Sequence, residues 1–290
     1  MKALLHVNYH EGERKLRELF ELAYRFGYDG VELRWKYQFP DLDQSGYRNL
    51  VAALKSTYPD MEIVFGGCID FCGSASEEQL QDDIGDYGEF LDWSHRQCGT
   101  RVMNFFTGVL KSPNGREVSD HGSAVATDEI YARTAAGLRQ VGKLASASGI
   151  LIALETHNYY LHDLAPACRR LLDETGDSVI GLNYDQGNII INRNGGSVAD
   201  FFREVGDRIY YAHLKNLRII DSGGRRGYVG CMLADGDIDN RLVVEKLHST
   251  LKSGMLALEY PFAGDGIIAA KRDIEYFRFI DGWQFIGMCP

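Results

Sequence analysis

Apolar residues along this chain fall into two kinds of stretch that take turns. Short, nearly unbroken runs of strand-forming residues, such as Leu151-Ile152-Ala153-Leu154, are separated by longer segments whose apolar positions recur at helical spacing. An unbroken run suits a strand of a parallel sheet covered on its outside by helices, whereas a strand with one wet face alternates. Eight such runs are present: Ala3–Asn8, Asp29–Arg34, Glu62–Ile69, Arg101–Gly108, Leu151–His157, Val179–Asp185, Tyr210–Asn216 and Met255–Pro261. Between them, Leu16, Leu19, Phe20 and Ala23 stand at i, i+3, i+4 and i+7, and Tyr131, Ala135, Leu138 and Ala145 make a similar stripe. Ser76-Glu77-Glu78-Gln79 offers a serine N-cap with a glutamine three residues on, the spacing of a capping box. Thr127-Asp128-Glu129-Ile130 keeps only the cap, because its fourth residue is apolar.

Strand followed by helix, eight times, with no change of composition and no Pro/Gly/Ser linker, predicts an α/β fold: a (β/α)8 TIM barrel forming one domain over residues 1–290. A doubly wound open sheet shares the element order and is the alternative. The length is that of one large barrel or two average domains, and it supplies core enough to need no disulfide or structural metal. With 45% hydrophobic and 25% charged residues the composition is that of a soluble enzyme, and disordered, collagen-like and coiled-coil classes are excluded. No apolar run approaches the ~18 residues of a membrane span. The N-terminal stretch lacks the length and cleavage site of a signal peptide, so a cytoplasmic location is expected. The six cysteines are scattered, with only Cys68 and Cys72 close together, and read as reduced thiols rather than a zinc or disulfide pattern. A net charge of −10, from 31 Lys+Arg against 41 Asp+Glu, argues against nucleic acid, whose binders neutralise phosphate with Lys and Arg.

Four strand ends carry an ionisable residue that a sheet-buried run would not ordinarily hold: Glu155, Asp185, His213 and Glu259. They belong to the last four predicted strands, and a barrel gathers its chemistry at the C-terminal ends of its strands. A single carboxylate at a strand end is commonly a helix cap or an ion-pair partner. Three brought together repel one another, and at least one would have to take up a proton. A divalent cation removes that penalty. Three oxygen ligands with one imidazole suit one divalent metal ion, manganese or magnesium first, cobalt or zinc next. Such an ion can act as a Lewis acid on a carbonyl.

The motifs carrying these residues, Leu154-Glu155-Thr156-His157, Asn183-Tyr184-Asp185-Gln186-Gly187-Asn188, Ala212-His213-Leu214-Lys215-Asn216, Asp235-Gly236-Asp237-Ile238-Asp239 and Leu258-Glu259-Tyr260-Pro261, with the early Tyr28-Asp29-Gly30-Val31-Glu32-Leu33, resemble those of the xylose-isomerase-like barrel superfamily of sugar isomerases and epimerases. The resemblance runs over essentially the whole chain. It implies that Glu155, Asp185, His213 and Glu259 bind the metal, and that Glu155 and Glu259 double as an acid/base pair moving a proton at the carbon next to a ketone through a metal-bound enediolate. The implied activity is a metal-dependent isomerase or epimerase of sugars or keto-sugars. A lyase of the keto-inositol dehydratase or C-glycoside-cleaving type would use the same site. Two further readings are an endonuclease-like barrel, which needs a richer ligand set and a basic face, and a non-catalytic sugar-binding protein.

Around the four ligands, His157 and Lys215 stand two residues past Glu155 and His213 and should point the same way. His157 would contact a substrate hydroxyl or orient a ligand; Lys215 would meet a developing oxyanion or pair with a ligand carboxylate. In the ketose 3-epimerase branch a His three residues after the metal Asp and an Arg six residues after the metal His grip the sugar; here those positions hold Asn188 and Ile219, with Arg218 one residue out of register. Asn188, Arg218 and His10 complete the candidate substrate contacts, while His6 reads as core or lower barrel. Residues 218–237 read as a long loop, a lid rich in glycine and arginine. Trp35, Phe71, Phe106, Tyr159 and Tyr160 lie at strand ends and would wall a substrate or pack the barrel against its helices. Gly264-Asp265-Gly266 reads as a turn after the last strand rather than a dinucleotide loop. The expected partners are a small-molecule carbohydrate and at most further copies of the same chain, with no nucleic acid and no membrane.

Overall fold

Each of the eight apolar runs forms a strand, and the strands close on themselves. In the computed structural model, which describes residues 1–10, 16–36, 42–73, 75–223, 225–260 and 264–283, with the side chains of His10 and Arg225 outside the described part, the barrel strands are β1 (Lys2–His6), β2 (Gly30–Arg34), β3 (Glu62–Cys68), β4 (Val102–Phe106), β5 (Leu151–Glu155), β6 (Ile180–Asp185) and β7 (Ile209–Leu214). Two further strands, β8 (Asn216–Ser222) and β9 (Arg225–Cys231), precede the last barrel strand, β10 (Met255–Leu258). The ring runs β1-β2-β3-β4-β5-β6-β7-β10 and back to β1, every pairing parallel. Pairing of Leu4 with Ala257 and Leu5 with Leu258 joins the first strand to the last and excludes the open sheet.

Nine helices are described: α1 (Leu16–Phe26), α2 (Gln44–Thr57), α3 (Glu77–Cys98), α4 (Asp128–Ala147), α5 (Ala165–Thr175), α6 (Gln186–Ile191), α7 (Val198–Val205), α8 (Asn240–Thr250) and α9 (Gly266–Trp283). Helix α3 begins where Ser76 Oγ accepts from the Gln79 amide at 3.2 Å and ends at Gly99, whose φ of +69° suits a residue without Cβ. Helix α4 begins where Thr127 Oγ1 accepts from the Ile130 amide at 3.3 Å. The apolar stripes of α1 and α4 lie buried, as their spacing predicts. None of the described helices is long and apolar enough to cross a membrane.

The core has two layers. The larger fills the space between strands and helices. Inside the barrel, Leu4, Val64, Val102, Ala153, Tyr211, Met255 and Ala257 pack together. Most come from the first halves of their strands, so the N-terminal half of the barrel is plugged with apolar side chains and polar groups collect toward the other end. Helix exits and strand entries are tight: a Cβ on Gly30, which opens β2, would stand 2.0 Å from the carbonyl oxygen of Glu62.

The expected loop at 218–237 is a correction. Strands β8 and β9 pair antiparallel in unbroken register from Asn216–Cys231 to Ser222–Arg225. Within the hairpin Arg226 donates across the strands to Asp221; the hairpin is tied down by Arg226's bond to the Ile190 carbonyl and by Arg193, which pairs with Asp221 and Glu117. The cysteines among the described residues are unpaired, three of them buried, and Cys289 lies outside that part.

Candidate metal centre and active site

The polar end of the barrel is built by register. Asp185 at the end of β6 pairs directly with His213 of β7, which is flanked on its other side by Ala257 of β10. Glu259 follows β10, its amide bonded to the Leu214 carbonyl, and Glu155 closes β5 opposite Asn183. Ligand atoms of Glu155, Asp185, His213 and Glu259 all lie within 4.8 Å of one another, and all four residues are buried. The structure therefore brings together the four residues picked out at the strand ends.

A fifth group orients them. Glu32, in the middle of β2, is 1% exposed and accepts from His213 Nε2 at 2.8 Å and from the Tyr211 hydroxyl at 2.9 Å. A carboxylate only accepts, so the neutral ring of His213 carries its proton on Nε2, and Nδ1 then presents a lone pair. That Nδ1 is buried without a hydrogen bond, 3.4 Å from Glu155 Oε2 and 3.4 Å from Glu259 Oε2. A buried acceptor facing acceptors is costly unless a cation stands between them. The orphaned nitrogen and three converging carboxylates thus fit a divalent cation, with the Glu32–imidazole pair fixing the ligand's orientation.

The remaining carboxylate oxygens are satisfied by side chains. Asn104 Nδ2 donates to Glu155 Oε2 at 2.7 Å and to Glu32 Oε1 at 3.1 Å. Asn188 Nδ2 donates to Asp185 Oδ2 at 2.9 Å and to Glu155 Oε1 at 3.2 Å. Asn8 Nδ2 donates to Glu259 Oε1 at 2.6 Å, and Arg34 in turn donates to Asn8 Oδ1 at 3.0 Å. Lys215 lies between Asp185 (2.7 Å) and Glu259 (3.0 Å). Asp185 also caps α6 by accepting from the Asn188 amide, so the capping role and the candidate ligand role coincide in one residue.

Charge follows from this geometry. With no cation among them the carboxylates favour the doubly protonated ring: burial opposes charge on His213, but Glu32 and Glu155 outweigh it and hold its pKa well above the ordinary value, so a cation at Nδ1 would take the place of that nitrogen's proton. For Lys215 burial is likewise overcome, by Asp185 and Glu259, and the ammonium is held charged. Burial raises the pKa of Glu155, whereas for Glu259 it is overridden by Lys215 and His213, which push that carboxyl well below the usual range. Glu32 is held low by His213 and His6 against its burial, and burial lowers His6.

Above the cluster lies a cavity of about 480 Å³, lined at its floor by Glu32, Asn104, Glu155 and Glu259. Its walls include Trp35, Phe106, His157 and Tyr160. His157 packs edge-on against Phe106 and Tyr160, with Nδ1 donating to the Asn158 carbonyl at 2.9 Å. Of the other expected contacts, Lys215 and Asn188 are buried among the ligands rather than lining the cavity. Arg218 is exposed on β8, opposite Val229, and is not a lining residue; Ile219 shares that hairpin. Phe71 is buried against Phe105, and Tyr159, at φ +71°, packs on His121. His10's side chain lies outside the described part. His6 is a correction: it lines the cavity, its ring 5.2 Å from that of His213, because it ends β1 and so reaches the mouth. Sequence reading gave no role to Glu32, Asn104 or Asn8, although a Glu inside Gly30-Val31-Glu32-Leu33 is the same anomaly that marks Glu259.

The sequence profile described as xylose isomerase-like TIM barrel matches residues 20–280. No curated protein matches the sequence. Among solved structures, the chain is similar to the probable 3-DHS dehydratase AsbF involved in petrobactin synthesis from Bacillus anthracis, at 18% identity and a TM-score of 0.75 over 96% of this chain and 99% of that one. It is similar to D-psicose 3-epimerase with D-tagatose from Clostridium cellulolyticum H10, at 14% identity and a TM-score of 0.74 over 97% and 99%. It is also similar to a xylose isomerase-like TIM barrel protein from Mycobacterium smegmatis in complex with magnesium, at 15% identity and a TM-score of 0.70 over 91% and 88%.

Proposed function

The chain belongs to the xylose isomerase-like TIM barrel family, and from that premise we propose that it is a divalent-metal-dependent enzyme that isomerises or epimerises a small keto-sugar by moving a proton at the carbon next to its ketone. Glu155, Asp185, His213 and Glu259 would hold the metal, manganese or magnesium in preference to cobalt or zinc for an oxygen-rich set. When bound, the cation supplies Lewis acidity to the ketone oxygen. The observation that carries the reading is the placement of Glu155 and Glu259: both line the cavity, and their strands stand three positions apart on a ring of eight. Two carboxylates set on either side of a planar enediolate can remove a proton from one side and return one to the other. Their environments also differ, since burial favours the protonated form of Glu155 while Lys215 keeps Glu259 ionised. Such a split gives one group the acid role and the other the base role. Lys215, Asn188, Asn104 and Asn8 hold the two carboxylates in place. Unpaired thiols fit a reducing compartment, which supports a cytoplasmic location.

Elimination on the same site is a second reading. It is favoured by Tyr160, which lines the cavity with His157 beside Glu155 and would offer its hydroxyl proton to a leaving group. The test is metal analysis of the purified protein, then incubation of the metal-loaded form with ketoses and 3-keto-glycosides in deuterated water. Deuterium at the α-carbon without elimination supports isomerisation, and elimination products support the lyase. Glu155→Gln should abolish exchange, and persistent wash-in by that variant would sink the acid/base assignment.

A further inference from the structure

We infer that Asp273 is a positioning residue for Glu259, holding in place the two chain segments whose side chains grip the two Glu259 oxygens. The inference rests on the reading above only for what Glu259 does; the connection itself is structural. Asp273 lies on α9 and is 2% exposed. Its Oδ2 accepts from the Tyr9 hydroxyl at 2.7 Å, and its Oδ1 accepts from the Leu233 amide at 2.8 Å. Each bond leads to Glu259 by its own route. On the first, Tyr9 is the residue after Asn8, whose Nδ2 donates to Glu259 Oε1 at 2.6 Å. The Tyr9 ring also stacks on that of Tyr260, the residue after Glu259, with 5.6 Å between centroids. On the second, the Leu233 carbonyl accepts from Asn216 Nδ2 at 2.7 Å. Asn216 follows Lys215, whose ammonium donates to Glu259 Oε2 at 3.0 Å.

Docking of the helix does not call for a carboxylate at this position. Ala269, Ala270, Ile274, Phe277 and Ile280 already bury the inner face of α9. Its first turn approaches the turn after β1 so closely that a Cβ on Gly266 would stand 2.0 Å from the Tyr9 carbonyl oxygen. An apolar residue at 273 would extend that face, whereas a buried carboxylate is tolerated only when its oxygens are hydrogen-bonded. What Asp273 adds is direction, because a hydrogen bond constrains angle as well as distance. Both of its bonds go to segments at the mouth of the barrel, one in the turn after β1 and one two residues past the hairpin. Glu259 stands just beyond the end of β10, and its carboxylate is aimed by the two side chains those segments carry.

The probe is manganese alone, with its affinity for the full chain measured by calorimetry. Asp273→Leu should weaken it by about tenfold, the lower end of what losing a ligand's hydrogen-bond partner costs. Asp273→Asn keeps the shape, still accepts from Leu233 and can donate to Tyr9, so it should recover most of the affinity; binding no better than that of Asp273→Leu overturns the inference. Ile280→Ala, which opens a hole about two turns further along the same helix, should lower Tm and leave manganese binding alone. A loss there equal to that of Asp273→Leu would make the effect one of stability and overturn positioning. Because Asp273 acts on Glu259 partly through the segment of Asn8, the loss in Asn8→Ala/Asp273→Leu should fall short of the product of the two single losses by about threefold or more. Losses that multiply overturn it. Should Asp273→Leu fail to fold, Tyr9→Phe removes one of the two bonds and should weaken manganese in its place, and unchanged affinity overturns the inference. If the wild-type chain binds no manganese, the metal reading fails and crystal structures of the metal-free wild type and Asp273 variants decide: Asn8 or Lys215 parted from Glu259 upholds positioning, and both bonds intact overturn it.

Discussion

Glu32 shows how one residue can decide the chemistry of its neighbour. By accepting from His213 Nε2 it assigns the proton to that nitrogen and leaves Nδ1 bare for a cation. Glu32→Gln can donate as well as accept, so the imidazole is free to adopt the other tautomer. Metal affinity should fall by about 10- to 100-fold, the usual cost of losing such a partner, measured by competition with a chelating dye, and the imidazole nitrogen shifts should show the changed tautomer. Lys215 makes a different case. It compensates Asp185 and Glu259 in the same buried place where a cation would. Lys215→Met should destabilise the metal-free protein to urea by about 3–5 kcal/mol, the cost of stranding a buried charge, and saturating manganese should restore part of the loss. An equal loss with and without metal would refute this compensation. The position of Lys215 was legible two residues beyond His213, but its partners were not, since they depend on how β6, β7 and β10 are registered against one another.

At the scale of elements, the strand runs and the caps at Ser76 and Thr127 were readable because each depends on spacing along the chain, and the barrel strands begin and end within about three residues of the expected limits. The hairpin was missed although its signal is present. Leu217, Ile219, Tyr228 and Val229 flank Gly223-Gly224, a pair of strand-forming runs about a glycine turn. The weight given to its arginines hid the pattern. Since Arg226 braces the two strands through Asp221 and ties the hairpin to the Ile190 carbonyl, Arg226→Ala should speed hydrogen exchange across residues 216–231 while barrel amides keep their protection; uniform protection in the variant would assign the anchoring elsewhere. The loops after β4 and β5 are tied by a more pH-sensitive element. Asp163 accepts from the Ser123 amide at 3.2 Å, but its Oδ1 is buried without a partner, and burial raises its pKa to about 6. The folded protein keeps a proton there that the unfolded chain releases near pH 4, so stability declines as pH rises from about 4 to about 6 and is then level. Asp163→Asn should flatten that interval, by up to about 3 kcal/mol in denaturant titrations at each pH. An unchanged slope would mean that Asp163 titrates normally.

For the whole molecule, the apolar plug inside the N-terminal half and the charged cluster above it divide the barrel into a part that supports and a part that binds. A ligand held only by the folded state stabilises it by mass action, about 2.7 kcal/mol at a hundred times its dissociation constant. Stripping the metal with a chelator should therefore lower Tm by about 4 °C for a chain of this length, and adding manganese back should reverse the change. A Tm indifferent to chelator and metal would tell against resident metal at this site. Closure of the ring by β1 against β10 has a temporal side as well. Asn8, just past β1, holds Glu259, just past β10, so one bond of the site joins residues 251 positions apart. At 5–20 residues per second of synthesis, Asn8 waits about 13–50 s for its partner to be made. Until then β1 offers an open edge, and a chain released before β10 would lack α9 as well as the strand that completes both the wall and the proposed acid/base pair. Quality control during translation, rather than any property of the finished enzyme, would then be where interrupted copies of this chain are distinguished from whole ones.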